Sequence, residues 1–399
     1  MNLAVVCERF TPFGGGVERS TAQIAQELVA RGHRVTILAA DRAEGADLTG
    51  AQIRALTTRR VITLMRLGRF AAWARRQLDG GQFDASLSVT TVVPATVLEP
   101  RRGTTRHMLE RLAAASTGVT ARLTQRLGAH LSPSHLLRLQ LERRTLRDPR
   151  VQRVVAVSRY LADQLERDDR ISPNRIEVIP NGAVMPAMSR HRRQTWQQQI
   201  RQGFGVPQAD PLYLFVADNP RLKGIDPLLR AVKLLKDRGA ALTLLIAGRL
   251  RYPVQHLAAT LGVRDRVRFV GITSHMPALY AAADVTVLPT FHDPASKVVI
   301  ESLMMSTPVI TTIYDGAADF VVPGGNGSLR RGRVLTDPIN TEALAEAMLR
   351  LADPAERRRC RAKMAGLTDE LSMARHVDRL EVILAQTAQG RTTAGATDG

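Results

Sequence analysis

Cysteine, lysine and aromatic residues are scarce in this 399-residue chain, and long apolar runs are missing. The two cysteines, Cys7 and Cys360, offer neither a disulfide framework nor metal-ligand spacing, so both read as structural. No uninterrupted apolar stretch approaches the ~20 residues of a membrane-spanning helix, and the chain opens on a strand-like run, Leu3 to Cys7, rather than on a signal core. A cytoplasmic location is expected on that ground. Aromatics make up only 4% of the residues, too few for the stacking platforms of a single-strand nucleic-acid binder. No G-x-G-x-x-G fingerprint follows the first strand, because Gly14, Gly15 and Gly16 run on into Val17, Glu18 and Arg19. A nicotinamide-dependent oxidoreductase, which would need that fingerprint, is thereby the weaker alternative.

Only five of the 56 basic residues are lysine: Lys223, Lys233, Lys236, Lys297 and Lys363. The net charge of +19 is therefore carried by arginine, and unevenly. Residues 51–150 hold 18 Arg against six acids, whereas residues 1–50 hold five Arg against six acids. Such a patch attracts polyanions, and near an anionic membrane each charge contributes about 1 kcal/mol. Two basic amphipathic segments carry it, 54–78 and 121–147. In the second, Arg122, Arg126 and His130 recur every fourth residue beside Leu123, Leu127 and Leu131. Ser134 to Leu146 then sets Arg138, Arg143 and Arg144 among leucines. These segments either lie in a lipid headgroup layer or pack as domain helices with solvated arginines, and composition leaves both open. An anionic membrane surface is thus a candidate partner, giving a peripheral position at the inner face of the plasma membrane. Nucleic acid is not expected, since no recognisable module is present; a basic nucleic-acid-binding α/β protein is the second alternative, and would show steeply salt-dependent oligonucleotide binding.

The length exceeds a single core, so two domains are expected. Strand and helix patterns alternate throughout, which calls for parallel sheets covered by helices. The first unit begins with the strand Leu3 to Cys7, a glycine loop, the helix Glu18 to Arg31 and the strand Val35 to Ala39. The expected boundaries are an N-terminal Rossmann-like domain over 1–185 and a polar, proline-flanked linker over 186–211 with a short helix around Thr195 to Gln202. A C-terminal domain follows over 212–368, then a helix over 369–388 that packs back on the N-terminal domain, and a disordered tail over 389–399. In the C-terminal domain, Lys223, Gly248, Gly271 and Asp293 all fall just after strands, where open α/β sheets collect ligands.

The most informative stretch is Phe291 to Thr312, FHDPASKVVIESLMMSTPVITT. An apolar run, Asp284 to Leu288, precedes it and Pro308 to Thr312 closes it, so a helix must lie between two buried strands. Ser296 can cap that helix, and the amides of Ser296, Lys297 and Val298 then form an anion-binding N-terminus. Asp293 and Glu301 stand eight residues apart, the second on the more polar side of the helix.

This stretch resembles the E-x7-E segment of retaining glycosyltransferases of family 4, which have the GT-B fold of two Rossmann-like domains facing across a cleft. The tail PVITTIYDGAADFV, the turn Gly32 to Ile37 and the VIPNG run at Val178 to Gly182 are similar to that family too. The Asp in place of the first Glu looks most like bacterial lipopolysaccharide-core glucosyltransferases. The resemblance implies transfer of a hexose, as in UDP-glucose chemistry, from a nucleoside diphosphate sugar to a hydroxyl of a glycan or glycolipid acceptor bound by the N-terminal domain. It implies that Asp293 contacts the donor sugar, that Glu301 holds the ribose, and that the Ser296–Val298 amides, Gly248 and the Gly15–Gly16 loop hold the diphosphate. Family members carry R-x4-K-G before the first helix of the second domain. Here Asp218 occupies the Arg position, so Arg221 takes over beside Lys223. His107 is a candidate acceptor-side or sugar contact. No D-x-D metal motif is present, so no metal and no separate cofactor are expected.

Overall fold

The computed structural model describes residues 1–11, 14–56, 63–116, 128, 132–249, 253–324 and 330–395. They form two compact units, Met1–Gly182 with Met373–Gly399, and Ala183–Ser372. Both are parallel sheets with helices, as the alternating pattern requires.

The first unit runs β1 (Asn2–Phe10), α1 (Gly16–Ala30), β2 (Arg34–Arg42), β3 (Ala51–Ala55), α2 (Thr63–Gly80), β4 (Ala85–Ser88), β5 (Val97–Leu98), α3 (Thr105–Ala114), α4 (Pro133–Arg147), β6 (Arg153–Ala156), α5 (Arg159–Arg167) and β7 (Ile176–Val178). Its strands line up as β3-β2-β1-β4-β5-β6-β7, every pair parallel. The interior strand β1 is buried on both faces, so it reads as one apolar run rather than an alternation. Its odd and even residues nevertheless serve different cores. Leu3, Val5 and Cys7 pack with Ile24 and Leu28 of α1, while Ala4 and Val6 pack with Phe70 and Ala74 of α2.

The second unit runs α6 (Arg190–Gly203), β8 (Leu212–Val216), α7 (Ile225–Asp237), β9 (Thr243–Ala247), α8 (Val254–Thr260), β10 (Val267–Gly271), α9 (Met276–Ala282), β11 (Val285–Val287), α10 (Lys297–Met304), β12 (Val309–Thr312), α11 (Ala318–Val321), β13 (Gly332–Leu335), α12 (Thr341–Ala352), α13 (Pro354–Ala362) and α14 (Leu367–Glu370). The strand order is β10-β9-β8-β11-β12-β13. From β8 the chain first winds outward to β9 and β10, then returns to lay β11 on the other side of β8. The reversal between β8 and β11 is a topological switch point, the place where open α/β sheets collect ligands. α7 shows why its sequence is helical: Ile225, Leu228, Leu229, Val232 and Leu235 recur at three- and four-residue spacing, and all are buried. The last helix, α15 (Met373–Gly395), belongs to the first unit, where Met373, Val377, Leu380 and Leu384 complete the core that contains Leu3 and Ile24. His376 fastens it: Nδ1 lies 2.8 Å from the Pro180 carbonyl oxygen and Nε2 lies 3.1 Å from Glu99 Oε1.

Several boundaries differ from the sequence reading. The helix expected within 186–211 is longer than read, α6, and its apolar Trp196 and Ile200, with Phe204 just beyond, pack against the core of the second unit. The tail expected to be disordered from 389 continues α15 to Gly395. The strand β3, which lacks an apolar run, was not foreseen; it alternates half-buried and exposed residues at the sheet edge. Of the basic segments, residues 57–62, 117–127 and 129–131 lie outside the described residues, and with them Arg122, Arg126 and His130. Among the described residues no helix is long and apolar enough to cross a membrane.

Candidate functional site

The loops after β8 and β11 meet at the switch point. The first, Asp218 to Gly224, is folded by its own backbone, with the Lys223 amide donating to Asn219 O at 3.1 Å and the Ile225 amide to Pro220 O at 3.0 Å. It is pinned to the second by the Phe291 amide, which donates to Leu222 O at 2.9 Å, and by the Thr290 hydroxyl, 3.3 Å from the same oxygen. Gly224 adopts φ +83°, and a Cβ there would stand 2.0 Å from the Pro289 carbonyl oxygen. Only glycine lets the two loops approach so closely.

That approach delivers Lys223 to Asp293. Lys223 Nζ donates to Asp293 Oδ2 at 2.5 Å and to the His292 carbonyl oxygen at 3.2 Å. Asp293 itself is held by backbone: its amide donates to Tyr314 O at 2.9 Å, and the Gly316 amide donates to its carbonyl at 2.9 Å. Both side chains of the pair keep a share of their surface, 20% for Lys223 and 17% for Asp293, so a ligand can still reach them. Arg221 sits two residues before Lys223 in the same loop. Asp218, at the place of the family's arginine, accepts the Arg249 amide at 3.4 Å. Gly248 precedes that arginine, at the end of β9, with φ +108° and a hypothetical Cβ 2.3 Å from Ala217 O.

Ser296 is the N-cap of α10, its hydroxyl accepting from the Val299 amide at 3.4 Å. Two expectations need correction here. The Ser296 amide, expected to face an anion, is engaged by a carboxylate of the chain itself, Asp315 Oδ1 at 3.1 Å. Glu301 is not on a polar face: it is 3% exposed and its Oε2 accepts the Tyr280 hydroxyl at 2.9 Å. The cause is α9, whose Tyr280 closes over that side of α10. Any ribose held by Glu301 must share it with Tyr280.

Asp315 was missed by sequence reasoning. Thr311 Oγ1 lies 2.9 Å from its Oδ2, and the Ala317 amide donates to its Oδ1 at 2.9 Å. Burial first, and then the neighbouring Asp293, push its carboxyl up to about 7. Its signal was faint: an acid followed by glycine, three residues past a buried strand.

Gly15, Gly16 and His107 belong to the first unit. Gly15 caps α1 and Gly16 begins it, at the carboxyl end of β1. This unit has its own switch point, between β1 and β4, and a cavity of about 190 Å³ opens there, lined by Glu8, Glu18, Thr90, Arg102, Thr105 and Arg138 among others. Arg138, read as one of the membrane-facing or solvated arginines of segment 121–147, instead grips Glu8 with both nitrogens, at 2.7 and 2.6 Å. Burial would raise the Glu8 carboxyl, but Arg138 and the Thr90 hydroxyl hold it below its ordinary value. A second cavity of about 230 Å³ shares Glu8 and Arg138 and adds Arg66, Phe70 and His135. His107 lines neither cavity. It packs edge-on against Tyr160, with Nε2 3.0 Å from the phenol oxygen, and burial lowers its pKa.

Comparison with known proteins follows the division into units. Residues 14–184 match the family model "Glycosyltransferase Family 4" and residues 197–365 match "Glycosyl transferases group 1". The chain is 23% identical to the lipopolysaccharide glucosyltransferase WaaG of Escherichia coli K12, over 87% of this chain and 88% of that protein. It is 30% identical to an uncharacterised glycosyltransferase of Methanocaldococcus jannaschii, over 44% of this chain and 45% of that one. It is 31% identical to the D-inositol 3-phosphate glycosyltransferase of Nocardiopsis dassonvillei, over 57% and 54%. The chain thus spans about half the length of these last two relatives. Among solved structures, WaaG superposes with a TM-score of 0.77 at 20% identity, covering 96% of this chain and 99% of that one. Anabaena HepE in complex with UDP and glucose gives 0.68 at 17% identity, covering 96% and 99%.

Proposed function

The chain belongs to the glycosyltransferases that join a family 4 N-terminal unit to a group 1 C-terminal unit in the GT-B fold, and on that premise we propose that it moves a hexose from a nucleoside diphosphate sugar to a hydroxyl of a cell-envelope glycan or glycolipid. The favoured donor is UDP-glucose and the favoured outcome is retention at the anomeric carbon. The observation that carries this reading is the Lys223–Asp293 pair at the switch point of the second unit, beside the N-terminus of α10.

Cleavage of the sugar–phosphate bond develops negative charge on the departing diphosphate. Lys223, Arg221 and the first amides of α10 supply positive charge for it, the amides aided by the helix dipole. Asp293 orients the donor sugar through its hydroxyls and holds Lys223 in place. Glu301, with Tyr280, takes the ribose. These cations would do the work of a divalent metal, so turnover is expected to survive EDTA. The acceptor is assigned to the first unit, whose cavities around Glu8 and Arg138 present hydrogen-bonding groups of both signs. The E. coli lipopolysaccharide glucosyltransferase and the Nocardiopsis D-inositol 3-phosphate glycosyltransferase support an acceptor of glycolipid or polyol type.

A thermal-shift screen with UDP-, GDP- and ADP-glucose tests the reading. A ligand that binds only the folded state at a hundredfold excess over its Kd adds about 2.7 kcal/mol of stability. A rise in Tm with UDP-glucose that is lost in Glu301→Ala is expected. No shift with any of the three sugars would remove the proposed donor site.

A further inference from the structure

The carboxyl of Asp315 stands at the back of the donor site, 1% exposed, and the roles assigned above do not use it. Its Oδ1 accepts two amides, from Ser296 at 3.1 Å and Ala317 at 2.9 Å, which occupies both lone pairs. Its Oδ2 lies 2.9 Å from the Thr311 hydroxyl. That hydroxyl also lies 3.1 Å from the Leu288 carbonyl oxygen, and it has one proton for two acceptors. A proton on Oδ2 resolves the count, since Oδ2–H then donates to Thr311 Oγ1 while Thr311 donates to Leu288 O.

We infer that Asp315 is held as the neutral acid, and that its ionisation, with release of the proton to solvent, weakens binding of the nucleoside diphosphate. It is a positioning residue, and the inference rests on the donor reading of this site. The charged groups facing it are Asp293, from the loop after β11, and Lys223, from the loop after β8; the neighbouring ends of α10 and α11 present the amides of Ser296 and Ala317. Burial and Asp293 raise the carboxyl to about 7 against the pull of those amides and of Lys223. Neutral Asp315 leaves the Asp293 carboxylate matched by Lys223. Ionised, it adds a second negative charge where two phosphates must enter a weakly screening environment.

The first test needs no nucleotide. The full chain is labelled with ¹³C at its aspartate carboxyls and carries Asp169→Asn, which removes the other aspartate that burial pushes up to about 7. One carboxyl resonance is expected to titrate near neutrality and to vanish when Asp315→Asn is added. Titration of every aspartate below about pH 5, as for unperturbed carboxyls, overturns the inference. The second test is calorimetric titration of UDP between pH 6 and pH 8.5, a range set about the raised pKa. Wild-type affinity is expected to fall several-fold more across that range than affinity of Asp315→Asn, whose amide can still donate to Thr311. The variant carries the same ionisation of UDP itself, so parallel pH profiles overturn the coupling. Absence of UDP binding to either protein counts against the donor reading alone, and the carbon titration then decides the state of Asp315.

Discussion

A carbonyl oxygen 2.0 Å from where a Cβ would stand decides what position 224 can hold. Gly224→Ala meets that backbone atom and a left-handed φ together, so a loss on the order of 2 kcal/mol or more is expected, read as a lower Tm. Because the same contact seats Lys223 against Asp293, turnover should fall as well. Lys223→Ala and Asp293→Asn act on the chemistry more directly. Each is expected to lower kcat by about a hundredfold or more, the scale of losing one charge-stabilising contact in a transition state, while Tm stays within a few degrees. Progress curves with the donor identified by thermal shift check both. Asp293, Ser296 and Lys223 were legible in the sequence because each lies in a local pattern: an acid before a capped helix, a Lys-Gly after a buried strand. Asp315 and Tyr280 were not. Their contacts to Ser296 and Glu301 bridge 19 and 21 positions, and no local periodicity encodes which loop returns to which helix end.

At the scale of elements, α6 shows what a polar composition conceals. Its Arg- and Gln-rich sequence suggests a solvated connection, yet Trp196 and Ile200, with Phe204 next in line, stand four apart, and that stripe is half-buried against the core of the second unit. The helix is then tied down electrostatically. Asp284, at the start of β11, accepts Arg201 at 2.9 Å, Arg357 of α13 at 3.2 Å and the Leu212 amide at 2.9 Å. Asp284→Ala leaves two largely buried guanidinium groups facing each other, and a cost of about 3 kcal/mol is expected, measured as a shift of the urea midpoint. α4 carries the opposite lesson. Its arginines look like a surface stripe, but Arg138 turns inward to Glu8, and Glu142 accepts the Thr105 amide at 2.9 Å from inside the same unit. The spacing of its charges was visible; the acidic partner in β1, 130 positions away, was not.

For the whole molecule, the excess of arginine becomes an experiment. On α2, Arg66, Arg69, Arg75 and Arg76 are exposed, and they give the first unit a basic surface. Co-sedimentation with vesicles containing anionic lipid is expected at low salt and should be lost at high salt, whereas neutral vesicles should leave the protein in the supernatant. Equal binding to both would dismiss the electrostatic reading. The two-unit division was readable from the alternation of strands and helices, whereas the assembly of the first unit from both ends of the chain was expected only through the family resemblance. That circuit has a temporal side. As the polypeptide leaves the ribosome, residues 183–372 emerge as an unbroken piece with every strand of their own sheet, while the half made first still exposes the apolar seat that Val377, Leu380 and Leu384 will fill. Residues 1–182 are therefore completed only after residues 183–372 have been made, and until α15 arrives they are the part a chaperone would have to shelter.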